Sequence, residues 1–364
     1  MKLLFVIEHF YPFHDASARV LKNLLSSSEF KDHEIHVVSL GGRDLTDDLI
    51  HIHNVPVKNN VIFKLKNKLL KGKYVKNKEF IKRIKQKIEL VCDKHNIDHV
   101  LYIIGNMNLL LVNPNITAKQ SFIFYDSLLN NFFYSRERNN HITKIQSKAF
   151  QRATHIFLLD EYLDIYKSNH KEFIDKFHHF YITAFYNDKP IQSIHTNTLL
   201  HSGAFFAGLR EPNTFFKFLD KCDESGLKLK AITLGVLPKA LNNVTIPKNL
   251  EIKDRVFDNE YKNLVMSCDC FVLVDNCDSC NQIPSKTYEY IGYNKKILFF
   301  TSGNTNTAKI LSNNKNVFLV KDEINDKIIE LFNNFLKDKI YNERQKYYRN
   351  EKDYVACYLL EKLL

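Results

Sequence analysis

Short runs of aliphatic, β-branched and aromatic residues alternate along this chain with longer amphipathic stretches, and the whole pattern occurs twice. Runs of this length suit buried strands, and the amphipathic stretches between them supply the crossovers that parallel strands need. The pattern predicts strands over 2–10, 34–40, 99–105, 120–125, 155–159 and 179–183. A second series follows over 198–203, 229–235, 251–256, 270–275, 297–301 and 317–320. The fold class that follows is α/β, two Rossmann-like domains, each a sheet wound with helices. The polar stretch Tyr186-Asn187-Asp188-Lys189-Pro190-Ile191-Gln192-Ser193 has no period of its own and reads as the break. Residues 1–187 form the first domain and 188–341 the second, and a helical tail over about 342–364 is placed to pack back on the first.

Length and composition agree with two ordinary globular domains. The chain has 364 residues, 45% of them hydrophobic and 26% charged, which excludes a disordered or fibrous architecture. Its 10 glycines include no Gly-x-Gly-x-x-Gly or Gly-x-x-x-x-Gly-Lys spacing, so neither a fingerprint dinucleotide site nor a Walker-type loop is expected. No apolar run reaches the roughly 18 residues of a membrane span, and the opening apolar stretch is too short for a signal peptide, so a cytoplasmic location is expected. Seven cysteines, an odd number, fit reduced thiols. Cys268-x-Cys270 and Cys277-x-x-Cys280 have the look of zinc half-sites. However, Cys268 and Cys270 enter a strand and share one face, where cysteine serves as a small buried hydrophobe, and no metal is expected there.

Lys and Arg number 52 against 41 Asp and Glu, a formal net charge of +11, which calls for a partner carrying negative charge. Between Lys58 and Lys87 stand 12 basic residues and one acidic residue, Glu79, interleaved with Ile62, Phe63, Leu65, Leu69, Leu70, Phe80, Ile81, Ile84 and Ile88 at near-helical spacing. This basic amphipathic segment has three readings: the solvated face of a core-packed helix, a surface for an anionic membrane, or a nucleic-acid patch. Nucleic acid ranks last, because no recognisable binding motif accompanies the charge.

In doubly wound sheets ligands bind beyond the carboxyl ends of the strands, so the residues just after each predicted strand are the first place to look for chemistry. After the first strand, His9-Phe10-Tyr11-Pro12-Phe13-His14-Asp15-Ala16-Ser17-Ala18 offers Asp15 or Ser17 as a helix cap. Small residues follow, leaving room for an anion at the helix N-terminus, or simply a well-capped helix. His9 and His14 are of the right type for acid or base work near neutral pH, although a loop histidine is commonly incidental. After the first strand of the second half, Gly203 and Gly208 free the backbone, and Arg210 has the planar fork that suits a phosphate or diphosphate. The sharpest segment is Pro284-Ser285-Lys286-Thr287-Tyr288-Glu289-Tyr290-Ile291. Lysine opposes the dipole of a helix first turn, so Lys286 points to an anion nearby, whereas a capping box between Ser285 and Glu289 is the plain structural alternative. No Ser-His-Asp order, His-Glu-x-x-His helix or Asp-x-Asp motif stands out.

Taken together, these stations resemble the GT-B glycosyltransferases, most closely family-4-like bacterial enzymes. The residues that carry the resemblance are His9-Phe10-Tyr11-Pro12, the strand from His33 to Ser39, Ala149-Phe150-Gln151-Arg152-Ala153-Thr154-His155-Ile156-Phe157, Ser202-Gly203-Ala204-Phe205, Cys268-Asp269-Cys270-Phe271-Val272 and Pro284 to Tyr290. The resemblance implies two domains facing across a cleft, a nucleotide-sugar donor as co-substrate rather than a resident cofactor, and a glycan or lipid-linked acceptor. It implies that Glu289 accepts the ribose hydroxyls and that Arg210 and Lys286 neutralise the diphosphate. Gly203, Asn281, Ser285 and Tyr288 complete the donor set, and Asp15 and Ser17 lie in the first-half loop beside the substrate. Asp126, in Tyr125-Asp126-Ser127, is the best catalytic candidate at the family's aspartate station, with His14 and Arg210 beside it. The family's paired glutamates are incomplete, since Asn281 stands eight residues before Glu289, and Asp15-Ala16-Ser17-Ala18 replaces the usual glycine pair. The leading expectation is a metal-independent glycosyltransferase of the hexosyltransferase type, peripheral to a membrane. A catalytically inactive module that partners an active transferase and a nucleotide-sugar epimerase are the alternatives.

Overall fold

The computed structural model describes the chain except for residues 11–15, 41–44, 47–49, 57–76, 106, 130–135, 184–195, 236, 238–244, 255, 257, 279, 281 and 322. It divides into two compact units, Met1–Thr183 with Arg349–Leu364, and Ala184–Tyr348. The polar stretch from Tyr186 to Ser193 lies outside the described residues. Residues 342–348, which the sequence pattern groups with the returning helix, stay with the second unit. Asn314 Nδ2 donates to the Tyr347 hydroxyl at 3.1 Å, and Lys346 Nζ donates to the Asn313 carbonyl at 2.6 Å.

The first unit is built on β1 (Lys2–Val6), β2 (Glu34–Leu40), β3 (Leu45–Thr46), β4 (Ile50–Val55), β5 (His99–Ile104), β6 (Lys119–Phe124), β7 (His155–Leu159) and β8 (Phe177–Phe180). They lie in the order β3-β4-β2-β1-β5-β6-β7-β8, parallel except for β3, which runs against β4. β3 and β4 are not foreseen by the pattern. β4 reads Ile50-His51-Ile52-His53-Asn54-Val55, and its polar side chains hide the strand. Their cost on burial is offset by hydrogen bonds: Ser39 Oγ donates to Asn54 Oδ1 at 2.8 Å, and His53 pairs with His36.

Part of the basic segment is described, as the helix Lys78–His95. Asn77 caps it by accepting from Phe80 N at 3.1 Å, and Asn96 ends it in the left-handed conformation at φ 52°. Its Ile84, Ile88, Val91 and Cys92 are buried, while Arg83 pairs with Glu79 and Lys85 with Glu89 on the outer side, the arrangement of a core-packed helix with a solvated basic face. The C-terminal helix Lys352–Leu363 buries Val355, Ala356, Leu359, Leu360 and Leu363 and packs on the helix Ala16–Leu25. Ser27 Oγ fastens it, donating to Asp353 Oδ1 at 2.6 Å. No described helix is long and apolar enough to cross a membrane.

The second unit contains β9 (Thr198–Ser202), β10 (Lys230–Leu234), β11 (Leu250–Lys253), β12 (Cys270–Val274), β13 (Lys296–Phe300) and β14 (Val317–Val320). The order is β11-β10-β9-β12-β13-β14, all parallel. Both faces of the central strands β9, β12 and β13 are covered, which is why these read as nearly continuous apolar runs, whereas β11, at the edge, alternates. Leu199, Ala231, Cys270, Val272 and Leu298 face one core with Phe215, Phe218 and Phe332, and Leu200, Ile232, Phe271, Leu273 and Phe299 face the other with Tyr290. Phe271 and Tyr290 stack face to face, ring centroids 4.2 Å apart.

Candidate functional site

Strand order reverses beside β9. The chain lays β10 and β11 on one side of it and then returns to lay β12, β13 and β14 on the other, so the crevice of the second unit lies between the carboxyl ends of β9 and β12. The ladder between these two strands stops at Leu200 beside Phe271, and beyond it His201 bridges the gap, its Nδ1 3.0 Å from the Val272 carbonyl oxygen. The imidazole is stacked on Phe205 with ring centroids 4.4 Å apart. Burial holds its pKa down at about 4, and the charges of Arg210 and Lys286 push in the same direction.

Lys286 and Glu289 come from the helix Ser285–Tyr293, which Pro284 opens without any side-chain cap. Glu289 therefore does not close a capping box with Ser285; its carboxylate turns inward instead and is 7% exposed. It accepts from the Tyr261 hydroxyl at 2.5 Å and from Lys286 Nζ at 2.5 Å. Lys286 Nζ also donates to the Tyr261 oxygen at 3.0 Å and lies 4.6 Å from that ring's centroid. Burial first, and then the Glu289 charge, drive the Tyr261 pKa upward, so this phenol stays protonated and donates. The end of β9 is tied into the same cluster. Ser202 N donates to the Tyr290 hydroxyl at 2.9 Å, and Ser202 Oγ lies 3.1 Å from the hydroxyls of both Tyr261 and Tyr290. Tyr288 is buried on this helix.

Arg210 lies on the segment after β9 and reaches the residues that follow β12. Its Nε and one terminal nitrogen donate to Asn276 Oδ1 at 3.1 and 2.8 Å, and Asn276 Nδ2 is anchored on the Gln282 carbonyl at 2.7 Å. Desolvation lowers the guanidinium pKa, opposed by the negative charge of Asp275. Asp275 is itself buried, which raises its pKa, and it accepts from Thr301 Oγ1 at 2.7 Å, from Thr305 Oγ1, and from Asn276 N at 2.9 Å. An open cavity of about 430 Å³ lies at the ends of β12, β13 and β14 and is lined by Gly208, Glu211, Asp275, Asn276, Asp278 and Lys321, among others. Gly208 needs to be glycine, with φ 72°. Gly203 is different: an added Cβ would meet only the His201 ring, at 3.5 Å, an ordinary contact, so neither space nor backbone conformation demands glycine there.

No protein-family model matches the sequence, and no curated protein does so significantly. Solved structures do match in fold. WaaG, a glycosyltransferase involved in lipopolysaccharide biosynthesis, is 14% identical with a TM-score of 0.59 over 98% of this chain and 95% of its own. A glycosyltransferase from Rickettsia africae is 12% identical with a TM-score of 0.60, over 100% and 97%. A UDP-GlcNAc 2-epimerase from Neisseria meningitidis, bound to UDP-GlcNAc, is 13% identical with a TM-score of 0.57, over 100% and 99%. The chain has the GT-B fold.

Within the second GT-B unit, then, Gly203, Arg210, Ser285, Lys286, Tyr288 and Glu289 all lie on the carboxyl-edge segments of one sheet. Asn281 lies outside the described residues, as do His14 and Asp15. Ser17 is inside the helix Ala16–Leu25, past its first residue, and not at the cap position. Asp126 follows β6, at the carboxyl edge of the first sheet, with its side chain exposed. Cys268 and Cys270 are buried, and burial raises both thiol pKa values, Cys268 to about 11. Four contributors escape the sequence reading: His201, Tyr261, Asp275 and Asn276. Asp275 and Asn276 follow β12 directly and could have been found by the same after-the-strand rule; Tyr261, on the helix Asp258–Ser267, carries no local signal.

Proposed function

We propose that this chain is a glycosyltransferase that moves a sugar from a nucleotide-sugar donor to a glycan or lipid-linked acceptor, in the assembly of a surface polysaccharide or glycoconjugate. The observation that carries the reading is the buried Glu289 carboxylate, held by Lys286 and Tyr261 beside the strand-order switch, with Arg210 tied to Asn276 just after β12 at the same edge. A carboxylate so placed is an acceptor for a pair of ribose hydroxyls, and two cations in a partly desolvated crevice suit a diphosphate. In transfer, the bond from the anomeric carbon to the diphosphate oxygen breaks and the diphosphate leaves with the electron pair. Arg210 and Lys286 stabilise that charge, so the reaction needs no metal at its centre. The acceptor oxygen forms the new bond and gives up its proton to a base, for which Asp126 is the first candidate and His14 the second. Residues 1–187 bind the acceptor in this reading, aided by Asp15 and Ser17, and 188–341 hold the donor through Gly203, Arg210, Asn281, Ser285, Lys286, Tyr288 and Glu289. In this reading the basic segment from Lys58 to Lys87, described only from the helix Lys78–His95 onward, holds a cytoplasmic enzyme on an anionic membrane face.

A second reading has a specific support: epimerases of nucleotide sugars share this fold. Incubating the purified protein with UDP-, GDP-, ADP- and CMP-sugars and resolving the products separates the two. Slow release of free nucleotide, accelerated by a glycan acceptor, is expected of the transferase. Interconversion of the donor with no nucleotide released would mean the epimerase, and binding without any turnover would fit an inactive module.

A further inference from the structure

At the amino-terminal ends of the first sheet's strands, opposite the carboxyl edge used above, four imidazoles and a carboxylate meet. Parallel register sets His36 of β2 beside His51 of β4, and His53 lies two residues further along the same face. The helix Lys78–His95 packs on both strands and runs against them, which brings His95, its last residue, to the same place. His36 is fully buried and its ring centroid lies 4.9 Å from that of His51, 5.2 Å from His53 and 4.3 Å from His95. One ring nitrogen each of His36, His53 and His95 can be chosen so that all lie within 4.8 Å of one another. Histidines are not usual fillers of a sheet–helix interface, and four here replace the apolar side chains that the neighbouring positions supply.

We propose that His36, His53 and His95 bind a divalent transition metal of the zinc class, as a structural clasp between the edge of the first sheet and the end of this helix. Neutral imidazoles suit zinc, copper and nickel, whereas magnesium and calcium prefer oxygen. Two nitrogens on one tetrahedral zinc ion stand about 3.4 Å apart. His36 Nδ1 and His53 Nε2 are 2.9 Å apart, so they need widen by only a few tenths of an ångström. The third nitrogen must close its distance by up to about 1.4 Å, which rotation of the His95 side chain, 23% exposed at a helix end, supplies. The support behind the first ligand is already in place. His36 Nε2 lies 2.9 Å from Glu34 Oε1, the pairing in which a carboxylate orients a metal-binding histidine and fixes its tautomer. Glu34 is braced in turn by Lys2 at 3.1 Å. The partial exposure of His53 and His95 gives the ion a way in, and a water or His51 completes the fourth position.

The test uses the full chain without a polyhistidine tag, stripped with chelator and titrated with Zn²⁺ against a chromogenic competitor, with Co²⁺ as a spectroscopic substitute and Mg²⁺ as a control. One equivalent of Zn²⁺ is expected, with visible Co²⁺ absorption of a four-coordinate nitrogen site, a rise in melting temperature on adding Zn²⁺, and no competition from excess Mg²⁺. His53→Gln and His95→Gln, at partly exposed positions, should fold as the parent does and each weaken Zn²⁺ at least tenfold, and Glu34→Gln should weaken it about 10–100-fold. If these variants do not fold, the same loss is read by modifying His53 and His95 with diethyl pyrocarbonate in the parent, with zinc protecting them. No stoichiometric Zn²⁺ on the folded parent, or undiminished Zn²⁺ in both histidine variants, would overturn the proposal; the latter would move the ion to the cysteines.

Discussion

Replacing Glu289 by alanine removes a group that two neighbours have been built around. Tyr261 and Lys286 each give it a hydrogen bond of 2.5 Å, in a site where the carboxylate is 7% and the lysine 20% exposed. Hydrogen bonds to a charged group contribute about 1.5–3 kcal/mol each. Lys286 keeps the Tyr261 oxygen at 3.0 Å and the ring face at 4.6 Å, and some water, so its desolvation is only partly uncompensated. The net loss expected is about 3 kcal/mol, below the upper part of the 3–5 kcal/mol range for breaking a fully buried pair. For a unit of about 165 residues this lowers the melting temperature by roughly 6–12 °C. Calorimetry is the suitable assay, since the chain has 0 tryptophans to report unfolding by fluorescence. Lys286→Met combined with Glu289→Leu removes both charges together and should recover about 1–2 kcal/mol of the loss. A loss below about 1 kcal/mol in Glu289→Ala, or a double variant as unstable as the sum of the singles, would refute the coupling argued here.

Tyr290→Phe leaves Ser202 N without its hydroxyl acceptor and should cost about 1–3 kcal/mol, with faster hydrogen exchange at the Ser202 amide as the specific readout. Gly208→Ala, at φ 72°, should destabilise by about 1 kcal/mol, whereas Gly203→Ala should leave thermal stability nearly unchanged. His99 and His201 are held near pKa 4 by burial, below their unfolded value, so the unfolded chain takes up their protons first. Their contribution is complete above about pH 6.5 and is lost as pH falls toward 4, on the order of 3 kcal/mol for a fully buried ring; urea midpoints that stay flat from pH 7 to 4.5 would contradict this. Neutralising Lys64, Lys66, Lys68 and Lys71 together should release the protein from anionic vesicles at physiological salt, and unchanged sedimentation with them would remove the membrane anchor from the account.

Most of the fold was legible because its strands are covered on both faces. Such strands are apolar at nearly every position, and the runs at β5, β12 and β13 can be read directly from the letters. β4 failed the same reading because histidines and Asn54 occupy its positions, and only the tertiary partners His36 and Ser39 make their burial tolerable. Glu289 and Lys286 were legible by place, being on the helix after β12, but their mutual pairing was not. The helix dipole argument treats Lys286 as a cation awaiting an anion, when its nearest anion is Glu289 one turn along. Tyr261 and His201 were invisible for a related reason: each acts through a contact with a residue far away in sequence, the hydroxyl of one with Glu289 and the ring nitrogen of the other with the Val272 carbonyl.

The central claim is that the second unit holds a nucleoside diphosphate group at Arg210, Lys286 and Glu289. Isothermal titration of the purified chain with UDP, GDP, ADP and CMP, repeated with Glu289→Gln and Arg210→Ala, tests it most directly. The account predicts that one nucleotide binds with unit stoichiometry, that Glu289→Gln weakens it by about tenfold or more, and that Arg210→Ala loses affinity for the diphosphate while sparing the nucleoside. No binding of any nucleotide to the folded protein, or binding that neither substitution changes, would contradict it.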